Sequence, residues 1–554
     1  MIYAIKRIFT TVLASEAINR IQWGKRSLAS VLDDEFKAWE DAKRDARNGK
    51  RVLVATSMGC YEHGTLLESV LAVALTLRGA CVTLLLCDQR LPCCQMIKIH
   101  NVEPEDLLAQ EHTPRCKRCV EQGRDAFGCL GLPIVGFKDW IGKVEDEEAH
   151  RLSESLPAEE IPDYVYRGVA VGEHAMAGAL RFYARGDLES EPLGEKILRR
   201  YLKSSILTAM AMGNLLAEMR FDAAVFNHGI YVPQGVIGEV LRREGIHVVN
   251  WNPSYRKQTF IFSHHDSYHR TMITEPVSLW ETMPWDSRKE RAILDYLKSR
   301  RYGTQDWIWF HEKPYEDHDR IQQELRIDFN EPCIGLLTSV MWDAKLHYRS
   351  NAFRDMLDWM IQTIEYFRNR PDLRLLVRVH PAEIHGLIPS RQKMLDAILG
   401  RIPDLPQNIT LVPPESRVST YALMQKCNAV IIYNTKTGIE IACMGIPVIV
   451  AGEAWIRGKG FSIDVSSPEE YFRVLDRLPL AYGLTSEQLM RARKYAYHFF
   501  FRRMIELPFL VSLRKHKIGL RLKRLKQLGE GVYPGLDVIC NGILDGSPFV
   551  AEKD

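Results

Sequence analysis

Two separate stretches of the chain alternate short apolar runs with helical patterns, and this alternation constrains the fold more than any other feature. In the first stretch, the apolar run 51–56 precedes a helical pattern over 65–78, and a second apolar run follows at 81–87. Gly79 stands just past the helical pattern, where a left-handed residue commonly ends a helix. A strand, a helix and a second strand in this order form a right-handed crossover unit. The stretch therefore predicts the start of a parallel sheet.

The second stretch repeats the alternation over the second half of the chain. Its apolar runs lie at 333–338, 373–379, 409–412, 429–433 and 447–450. Apolar residues occupy most positions of each run, rather than every second position, as expected of strands that helices cover on both faces. The predicted fold class is therefore α/β, with two facing Rossmann-like doubly wound domains and with helical extensions at the N- and C-termini.

The chain has 554 residues, which is too long for one ordinary domain. Changes of pattern predict a helical extension at 1–48, a first domain at 49–280, an interdomain connection at 281–330, a second domain at 331–485 and a basic helical segment at 486–554. The first domain includes a helical insert and a cysteine-rich segment. In the N-terminal extension, one helical face collects Ile2, Ile5, Phe9, Val12 and Leu13.

The charge is small overall and concentrated locally. A net charge of +3 gives no global field that favours nucleic acid, so we expect no nucleic-acid partner. The segment 507–529 contains no acid, and its basic residues are Arg514, Lys515, Lys517, Arg521, Lys523, Arg524 and Lys526. Its apolar residues Val511, Ile518, Leu522, Leu525 and Leu528 fall on one helical stripe. The pattern predicts an amphipathic helix over 513–528 on an anionic membrane surface, or else a helix that packs on the first domain.

The sequence offers neither a membrane span nor a secretory signal. No segment reaches the roughly 18 uninterrupted apolar residues of a spanning helix. The N-terminal residues lack the apolar region and the small-residue cleavage site of a signal peptide. We therefore expect a cytoplasmic protein, located peripherally at the inner face of the membrane.

Several of the cysteines cluster between 81 and 129. Cys116 and Cys119 form a CxxC pair, and with Cys94 and Cys129 they offer four thiolates to a structural zinc ion. Buried thiols without a metal are the alternative, and an iron–sulfur cluster is a third. Thiols in a cytosolic chain favour metal or redox chemistry over a disulfide framework.

Polar residues follow two strands of the second predicted sheet. Arg378 and His380 stand at the end of the run 373–379, where Pro381 stops the strand. Because ligands of doubly wound domains bind at the carboxyl ends of strands, both side chains suit a phosphate or carboxylate. The alternative is a strand-end histidine satisfied by a nearby carbonyl.

The run 429–433 leads into a polar turn that begins a predicted helix. The turn consists of Asn434, Thr435, Lys436, Thr437 and Gly438. Hydroxyl and amide groups at such a turn bind anions, and one turn further Glu440 is suited to accept hydrogen bonds from ribose hydroxyls. The alternative is ordinary capping by Thr437 and Glu440. The following loop, 452–460, adds the cations Arg457 and Lys459 beside the same cleft.

Three motifs occur in order along the second domain: RVHP at 378–381, NTKTG at 434–438 and AWIRGKGF at 454–461. Over about 334–464 this order resembles the capsule polysaccharide biosynthesis glycosyltransferases, which include bacterial Kdo transferases and, more distantly, HP-motif sialyltransferases. The resemblance implies the two-Rossmann arrangement called GT-B, in which the second domain binds the nucleotide sugar. It also implies that His380 contacts the donor phosphate and that Thr435 and Thr437 contact its oxygens. Lys436 separates these two hydroxyl residues, unlike the paired hydroxyls of the HP-motif enzymes.

The resemblance implies a glycosyltransferase that moves a sugar from a CMP- or UDP-sugar donor to a surface polysaccharide or lipid-linked glycan. No cofactor is required for such a transfer if the cations and hydroxyls hold the phosphate. The alternatives are a nucleotide-sugar epimerase, a phosphoglycerol-type transferase, and a non-catalytic assembly factor that binds nucleotide sugars.

The first domain is expected to supply the acceptor side. In the loop after the first strand, His63 or Glu62 is a candidate base for an acceptor hydroxyl. Capping of the following helix is the alternative for His63. His228 and Tyr231 follow another predicted strand, and we interpret them as acceptor-binding residues, with a packed loop as the alternative.

Overall fold

A computed structural model describes residues 27–307, 309–310, 313–348, 350–514 and 517–552. The predicted apolar helical face at residues 2–13 lies outside the described residues. Within them, the chain forms two domains, each built on one twisted sheet. The predicted doubly wound α/β class is confirmed, as the strand orders show.

The first domain is built on a mostly parallel sheet. Its strands in chain order are β1 (Arg51–Ser57), β2 (Cys81–Leu86), β3 (Ile134–Gly136), β4 (Ala223–Asn227), β5 (His247–Pro253) and β6 (Thr259–His264). Their spatial order is β3-β2-β1-β4-β5-β6, and all neighbours are parallel except β5 and β6. The order reverses direction between β1 and β4, which is where doubly wound sheets bind ligands.

Eleven described helices belong to the chain up to residue 281. They are α1 (Leu28–Asp34), α2 (Phe36–Asp45), α3 (Glu62–Leu77), α4 (Pro104–Ala109), α5 (Pro114–Gly128), α6 (Lys143–Ser155), α7 (Val171–Tyr183), α8 (Gly194–Glu218), α9 (Gln234–Arg243), α10 (Tyr268–Thr274) and α11 (Ser278–Glu281). Gly79 follows α3 with φ +82°, as the predicted helix end requires. Short 3₁₀ turns occupy Ala46–Asn48, Phe137–Asp139 and Ala158–Asp163.

The second domain is built on an entirely parallel sheet. Its strands are β7 (Cys333–Leu337), β8 (Arg374–Arg378), β9 (Ile409–Val412), β10 (Ala429–Ile432), β11 (Val448–Val450) and β12 (Ile463–Asp464). Their order is β12-β11-β10-β7-β8-β9, with the reversal between β7 and β10. The accompanying helices are α12 (Ser287–Arg300), α13 (His318–Leu325), α14 (Met356–Arg368), α15 (Ala382–His385), α16 (Met394–Leu399), α17 (Thr420–Met424), α18 (Thr437–Ala442) and α19 (Pro468–Leu475).

Both sheets are covered by apolar cores on their two faces, which explains the continuous apolar runs. Along β1, Leu53 and Ala55 pack into one core, whereas Val52 and Val54 pack into the other. Residues of β10 alternate between two further cores in the same way. Because successive side chains of a strand point to opposite faces, a strand covered on both faces is apolar at every position.

The C-terminal segment returns to the first domain. Helix α20 (Ser486–Tyr497) continues into a π-helical turn, His498–Arg503, and β13 (Ile505–Glu506) then pairs antiparallel with β6. Strands β14 (Leu510–Arg514) and β15 (Lys517–Leu520) form a hairpin, followed by a 3₁₀ turn (Leu525–Leu528) and α21 (Pro534–Asp545). The predicted segment 486–554 is therefore not a separate helical unit, because β13 adds a strand to the first sheet.

The predicted basic helix over 513–528 is wrong, since this stretch holds the hairpin and the 3₁₀ turn. Its apolar side chains Leu520, Leu522, Leu525 and Leu528 are buried in the same core as α3. Burial against α3 stabilises the hairpin more than helical periodicity stabilises a helix here. The alternative, a helix packed on the first domain, is right about the packing and wrong about the helix. Among the described residues, no helix is long and apolar enough to cross a membrane.

Candidate functional site

A cleft of about 350 Å³ lies at the carboxyl ends of β7, β8 and β10, at the point where the second sheet reverses its strand order. The second domain contributes Thr338, Ser339, Asp343, Arg378, His380, Asn434, Thr435, Lys436 and Thr437 to its lining. The first domain and the connection contribute Tyr255, His269, Arg300, Asp306 and Trp309. The structure thus brings together six of the predicted donor residues and closes the cleft with residues of the other domain.

His380 is held as a neutral hydrogen-bond donor. Its backbone N–H donates to Thr338 Oγ1 over 3.0 Å, and its ring Nδ1 accepts from the backbone N–H of Ala382 over 3.0 Å. Burial, together with Lys436 and Arg378, lowers the pKa of His380 to about 4. A neutral imidazole whose Nδ1 accepts must carry its proton on Nε2. The Nε2–H group is then the donor available to a ligand in the cleft.

Arg378 fixes the loop after β9 and places a buried cation beside the cleft. Its guanidinium donates to the carbonyls of Pro413 and Ser416, and its Nε donates to Thr420 Oγ1 over 3.3 Å. Only 2% of the residue is exposed, and burial lowers its pKa to about 10. The charge therefore persists at neutral pH, and it favours an anion in the adjoining space.

The turn after β10 presents hydroxyl groups to the cleft. Thr437 N donates to Thr435 Oγ1 over 3.4 Å, and Thr435 Oγ1 lies 3.3 Å from Thr437 Oγ1. Asn434 Oδ1 is buried with no hydrogen-bond partner among the described residues. The predicted capping box of Thr437 and Glu440 does not form, because Lys436 occupies the N-cap position of α18 and makes no side-chain cap bond.

Glu440 lies beneath the cleft in a buried network of four charges. Its carboxylate pairs with Lys436 Nζ at 3.0 Å and with Arg300 Nε at 3.1 Å, and it accepts from the Tyr421 hydroxyl. Arg300 also pairs with Asp306. This corrects the prediction that Glu440 accepts from ribose hydroxyls, because its oxygens already serve three donors of the protein.

Burial opposes ionisation of each group in this network, and the opposite charges offset it unequally. Burial raises the pKa of Glu440, but the charges of Arg300 and Lys436 outweigh it and lower that pKa to about 2. Burial lowers the pKa of Arg300, but the charge of Glu440 outweighs it and holds that pKa well above its usual value. Burial raises the pKa of Asp306 despite its ion pair, and burial with Arg300 lowers that of Lys436. We take the close pair of Glu440 and Arg300 as fully ionised, because two cations face the single carboxylate.

Two predicted donor contacts lie elsewhere. Lys459 is 1% exposed, and its Nζ donates to the carbonyls of Ile273 and Glu275. The Arg457 guanidinium donates to the carbonyls of Gly452 and Val465. Neither side chain lines the cleft, because backbone carbonyls hold both head groups. The prediction that these cations contact the donor is corrected accordingly.

The predicted acceptor residues meet the second domain at the edge of the cleft. The Tyr231 hydroxyl donates to Asp343 Oδ1 over 2.8 Å and accepts from the backbone N–H of Ala344 over 3.2 Å. The His228 ring lies 5.0 Å from Tyr231 and 5.9 Å from His269, between ring centroids. Burial lowers the pKa of His228 well below its usual value and that of His269 to about 4, so both rings are neutral.

Unsatisfied polar atoms gather at the carboxyl edge of the first sheet. Within the described ranges, buried atoms without a hydrogen-bond partner include Ser57 Oγ at the end of β1, His228 Nδ1 after β4, and Asn250 Oδ1 and Nδ2 with Asn252 Nδ2 in β5. Buried polar groups normally have partners. Several orphans at the reversal point of one sheet therefore suggest a place for a polar ligand or ordered water.

The predicted catalytic pair stands apart from the cleft lining. Glu62 is exposed at the first residue of α3. His63 is partly buried, with its ring 6.1 Å from Trp307 and 6.3 Å from Tyr61 between centroids. Neither side chain belongs to the lining of the cleft.

Three of the four predicted zinc ligands, Cys94, Cys116 and Cys119, line one small cavity, and Cys129 does not. Cys119 lies against Cys60, Cys116 contacts Thr113 Oγ1, and Cys129 is exposed at the far end of α5. Ten helical positions put Cys129 about 15 Å along the axis from Cys119. In the parts of the chain that the structure describes, no group of three or more His, Cys, Asp or Glu is arranged to hold a metal ion.

Sequence patterns missed several lining residues. Thr338, Ser339 and Asp343 follow β7, and the positional rule that found His380 would have found the first two. Arg300 and Asp306 lie in the connection, and Tyr255 and His269 lie in the first domain. No local pattern marks these four, because only the approach of the two domains makes them neighbours of the cleft.

The strand orders and the interdomain cleft define the class of the protein as a two-domain, doubly wound protein of the GT-B arrangement. Residues 310–500 match the model of the family described as "Capsule polysaccharide biosynthesis protein". The predicted resemblance to this family is confirmed over that segment, which contains most of the cleft. No curated protein sequence matches the chain.

Three solved structures illustrate the similarity. The beta Kdo 2,4 transferase of KpsC from Thermosulfurimonas dismutans is 14% identical, with 49% of this chain and 79% of that chain covered and a TM-score of 0.32. Its beta Kdo 2,7 transferase is 13% identical, with 57% and 88% covered and a TM-score of 0.31. UDP-GlcNAc 2-epimerase from Neisseria meningitidis, bound to UDP-GlcNAc, is 9% identical, with 81% and 95% covered and a TM-score of 0.24. Because these scores are low, the fold assignment rests on the strand orders.

The buried network predicts a specific dependence of stability on pH. The folded pKa of Glu440, about 2, lies below its ordinary value of 4.5, so its contribution is complete above 4.5 and is lost as the pH falls toward 2. Glu440→Gln should lower the free energy of unfolding by about 3–5 kcal/mol near neutral pH. The difference from the parent should shrink as the pH falls, as measured by urea unfolding followed by tryptophan fluorescence.

Glu365→Gln is the matched control, because Glu365 forms an exposed pair with Arg368. This variant should stay within about 0.5 kcal/mol of the parent at every pH. A constant difference between Glu440→Gln and the parent from neutral to acid pH would contradict an ionised, paired Glu440.

Proposed function

We propose that the protein is a glycosyltransferase that moves a sugar from a nucleotide-activated donor to a growing surface polysaccharide or lipid-linked glycan. The observation that carries the proposal is the cleft at the reversal point of the second sheet, where Arg378, His380 and Lys436 surround hydroxyl groups. The family match over 310–500 supports the assignment to capsule polysaccharide biosynthesis. The resemblance carried by the motifs RVHP and NTKTG supports a CMP- or UDP-sugar as the donor.

The donor phosphate would lie among groups that favour negative charge without a metal ion. His380 supplies a neutral Nε2–H donor, Thr437 supplies a hydroxyl, and Lys436 supplies a cation. When the sugar–phosphate bond breaks, negative charge develops on the leaving phosphate. Donors fixed in place before the reaction stabilise this charge more in the transition state than in the bound donor. The buried network beneath Lys436 keeps that residue in position.

Asp343 is the carboxylate best placed to activate the acceptor. It lines the cleft, and the Tyr231 hydroxyl of the first domain orients its Oδ1. In the proposed step, Asp343 takes the proton of an acceptor hydroxyl while that oxygen bonds to the anomeric carbon and the bond to phosphate breaks. This assignment replaces Glu62 and His63 as the proposed base, since neither lines the cleft. His228 and the unsatisfied polar atoms of β5 would receive the acceptor's other hydroxyls.

Donor binding is the first test. His380→Ala and Thr437→Ala should each weaken binding of the best nucleotide from a CMP- and UDP-sugar panel by about 1–3 kcal/mol, as measured by calorimetry. Single-turnover transfer should fall further, because the contacts strengthen as phosphate charge develops. Since His380 is already neutral above about pH 5, its contribution should not change between mildly acidic and mildly basic pH.

Lys426→Ala is the control for this test, because Lys426 is an exposed cation of the same domain. Its donor affinity should equal that of the parent. If both cleft variants bind and transfer as the parent does, the donor site lies elsewhere. Sugar epimerisation without an acceptor would instead favour an epimerase, and binding without turnover would favour an assembly factor.

The second test separates the role of Asp343 from its contact with Tyr231. Asp343→Asn should lower the rate of transfer by about 10²–10⁴-fold with little change in donor affinity, because it removes the proton acceptor. The amide oxygen introduced by Asp343→Asn can still accept from the Tyr231 hydroxyl. Tyr231→Phe removes this interdomain hydrogen bond and keeps the carboxylate, so the fall in transfer rate should be much smaller. Equal losses in both variants would mean that Asp343 acts only by joining the domains.

We also propose that the protein binds peripherally to an anionic membrane surface on the cytoplasmic side. Arg521, Lys523 and Lys526 are exposed on the first domain, next to leucines that anchor the segment in the core. Arg524 is exposed in the same segment and pairs with Glu35 at 2.7 Å. A transferase that acts on lipid-linked acceptors would gain from such a location, although the segment is not the amphipathic helix of the sequence prediction.

Vesicle sedimentation tests the membrane proposal. Replacing Arg521, Lys523 and Lys526 by Gln should reduce binding to vesicles that contain anionic phospholipid, by about 1 kcal/mol for each residue. Added salt should weaken the binding of the parent protein to the same vesicles. The matched control replaces Arg288, Arg401 and Lys426, which are exposed cations outside this segment. Equal binding by the two triple variants would count against a membrane site at 521–526.

A further inference from the structure

Two cysteines that lie far apart in the sequence meet at the carboxyl edge of the first sheet. Cys60 belongs to the loop between β1 and α3, and Cys119 lies in α5. The backbone N–H of Cys60 donates to Cys119 Sγ over 3.3 Å, and the two thiols are in hydrogen-bond contact with each other. The partner of Cys119 is therefore Cys60, and not the Cys116 of the CxxC motif.

The backbone is packed closely where the two thiols meet. A Cβ atom at Gly59 would lie 2.0 Å from the carbonyl oxygen of Cys119 and 2.6 Å from Gly123 Cα. Only a glycine lets the loop approach α5 this closely. Glycine at this position thus keeps Cys60 beside Cys119.

Cys60 differs from several of the cysteines around it, and its contact with Cys119 raises the pKa of Cys119. A cavity of about 30 Å³ is lined by Cys60, Cys87, Cys94, Cys116 and Cys119, together with Arg115. The contact with Cys119 and the nearby Arg115 lower the pKa of Cys60 to about 6, although burial opposes this. Burial raises the pKa of Cys87 to about 11 and that of Cys94 well above its usual value. Among these thiols, Cys60 is the one poised to act as a nucleophile at neutral pH.

We propose that Cys60 and Cys119 form a redox-active dithiol that closes to a disulfide by exchange with a low-molecular-weight disulfide such as oxidised glutathione. The inference is independent of glycosyl transfer. A disulfide here would tie the loop after β1 to α5, at the reversal point of the first sheet. Both residues are partly exposed, so a small disulfide can reach them.

The exchange takes place in two steps. The Cys60 thiolate attacks one sulfur of the small disulfide, whose other sulfur leaves as a thiolate. Cys119 then loses its proton and attacks Cys60 Sγ in the mixed disulfide, which releases the second small thiolate. Each of the two small thiolates that leave takes up one proton, and the thiols of Cys60 and Cys119 supply these two protons. The protein dithiol is oxidised by two electrons, and the small disulfide is reduced by two.

The test uses the native full-length protein in glutathione buffers of stepwise redox ratio, quenched with an alkylating agent and analysed by peptide mass spectrometry. We expect a peptide that links Cys60 with Cys119, formed in proportion to oxidised glutathione and reversed by dithiothreitol. Cys119→Ser should stop the reaction at a glutathione adduct on Cys60. Cys60→Ser should form neither product, and Cys129→Ser should behave as the parent.

A second measurement does not depend on disulfide closure. In the reduced protein at neutral pH, iodoacetamide should modify Cys60 several-fold faster than the exposed Cys129, and Arg115→Gln should reduce that advantage. Native tryptophan fluorescence confirms that each variant is folded. A link between Cys116 and Cys119, an adduct confined to Cys129, or equal alkylation rates at Cys60 and Cys129 would overturn the proposal.

Discussion

The ion pair of Arg300 with Glu440 is the interaction on which the cleft depends. Arg300 ends α12 in the connection, whereas Glu440 lies in α18 of the second domain, so the pair joins two parts of the chain beneath the cleft. Asp306 and Lys436 complete a network of two cations and two anions. Removing one partner from such a group leaves an uncompensated buried charge, which costs more than the intact pair contributes. The network therefore fixes the position of Lys436, and with it the charge presented to a ligand.

Much of the fold was predictable because its strands are covered on both faces. The runs 52–55 and 429–433 are apolar at every position, a pattern typical of buried parallel strands. The C-terminal hairpin was not predictable in the same way. Leucines at 522, 525 and 528 have helical spacing, yet Leu522 lies in a loop and the other two in a 3₁₀ turn, and all three are buried in the core of α3. Contacts with a helix more than 400 residues earlier, such as Arg78 with the Leu528 carbonyl (a separation of 450), cannot be inferred from local spacing.

The candidate site was predictable as far as position along a strand determines it. His380 and the turn at 434–437 reach the cleft because they follow β8 and β10, next to the reversal of strand order. Tyr255 and His269 could not be found in this way, since they follow no strand of the second sheet. They become part of the cleft only when the first domain approaches. Position identifies the residues at the edge of one sheet, and tertiary contact between domains supplies the rest.

Charge alone misled the assignment of Arg457 and Lys459, and for Lys459 the reason lies in how the domains are joined. Lys459 donates to the carbonyls of Ile273 and Glu275, so it holds the first domain to the second instead of facing a phosphate. Trp455 donates to the carbonyl of His269 and strengthens the same junction. A cation in a glycine-rich loop can satisfy either a ligand anion or a row of backbone carbonyls, and both environments look alike in sequence. The loop 452–460 thus helps to build the cleft wall by joining two domains, and the polar side chains of His380, Lys436 and the hydroxyls after β10 line the cleft.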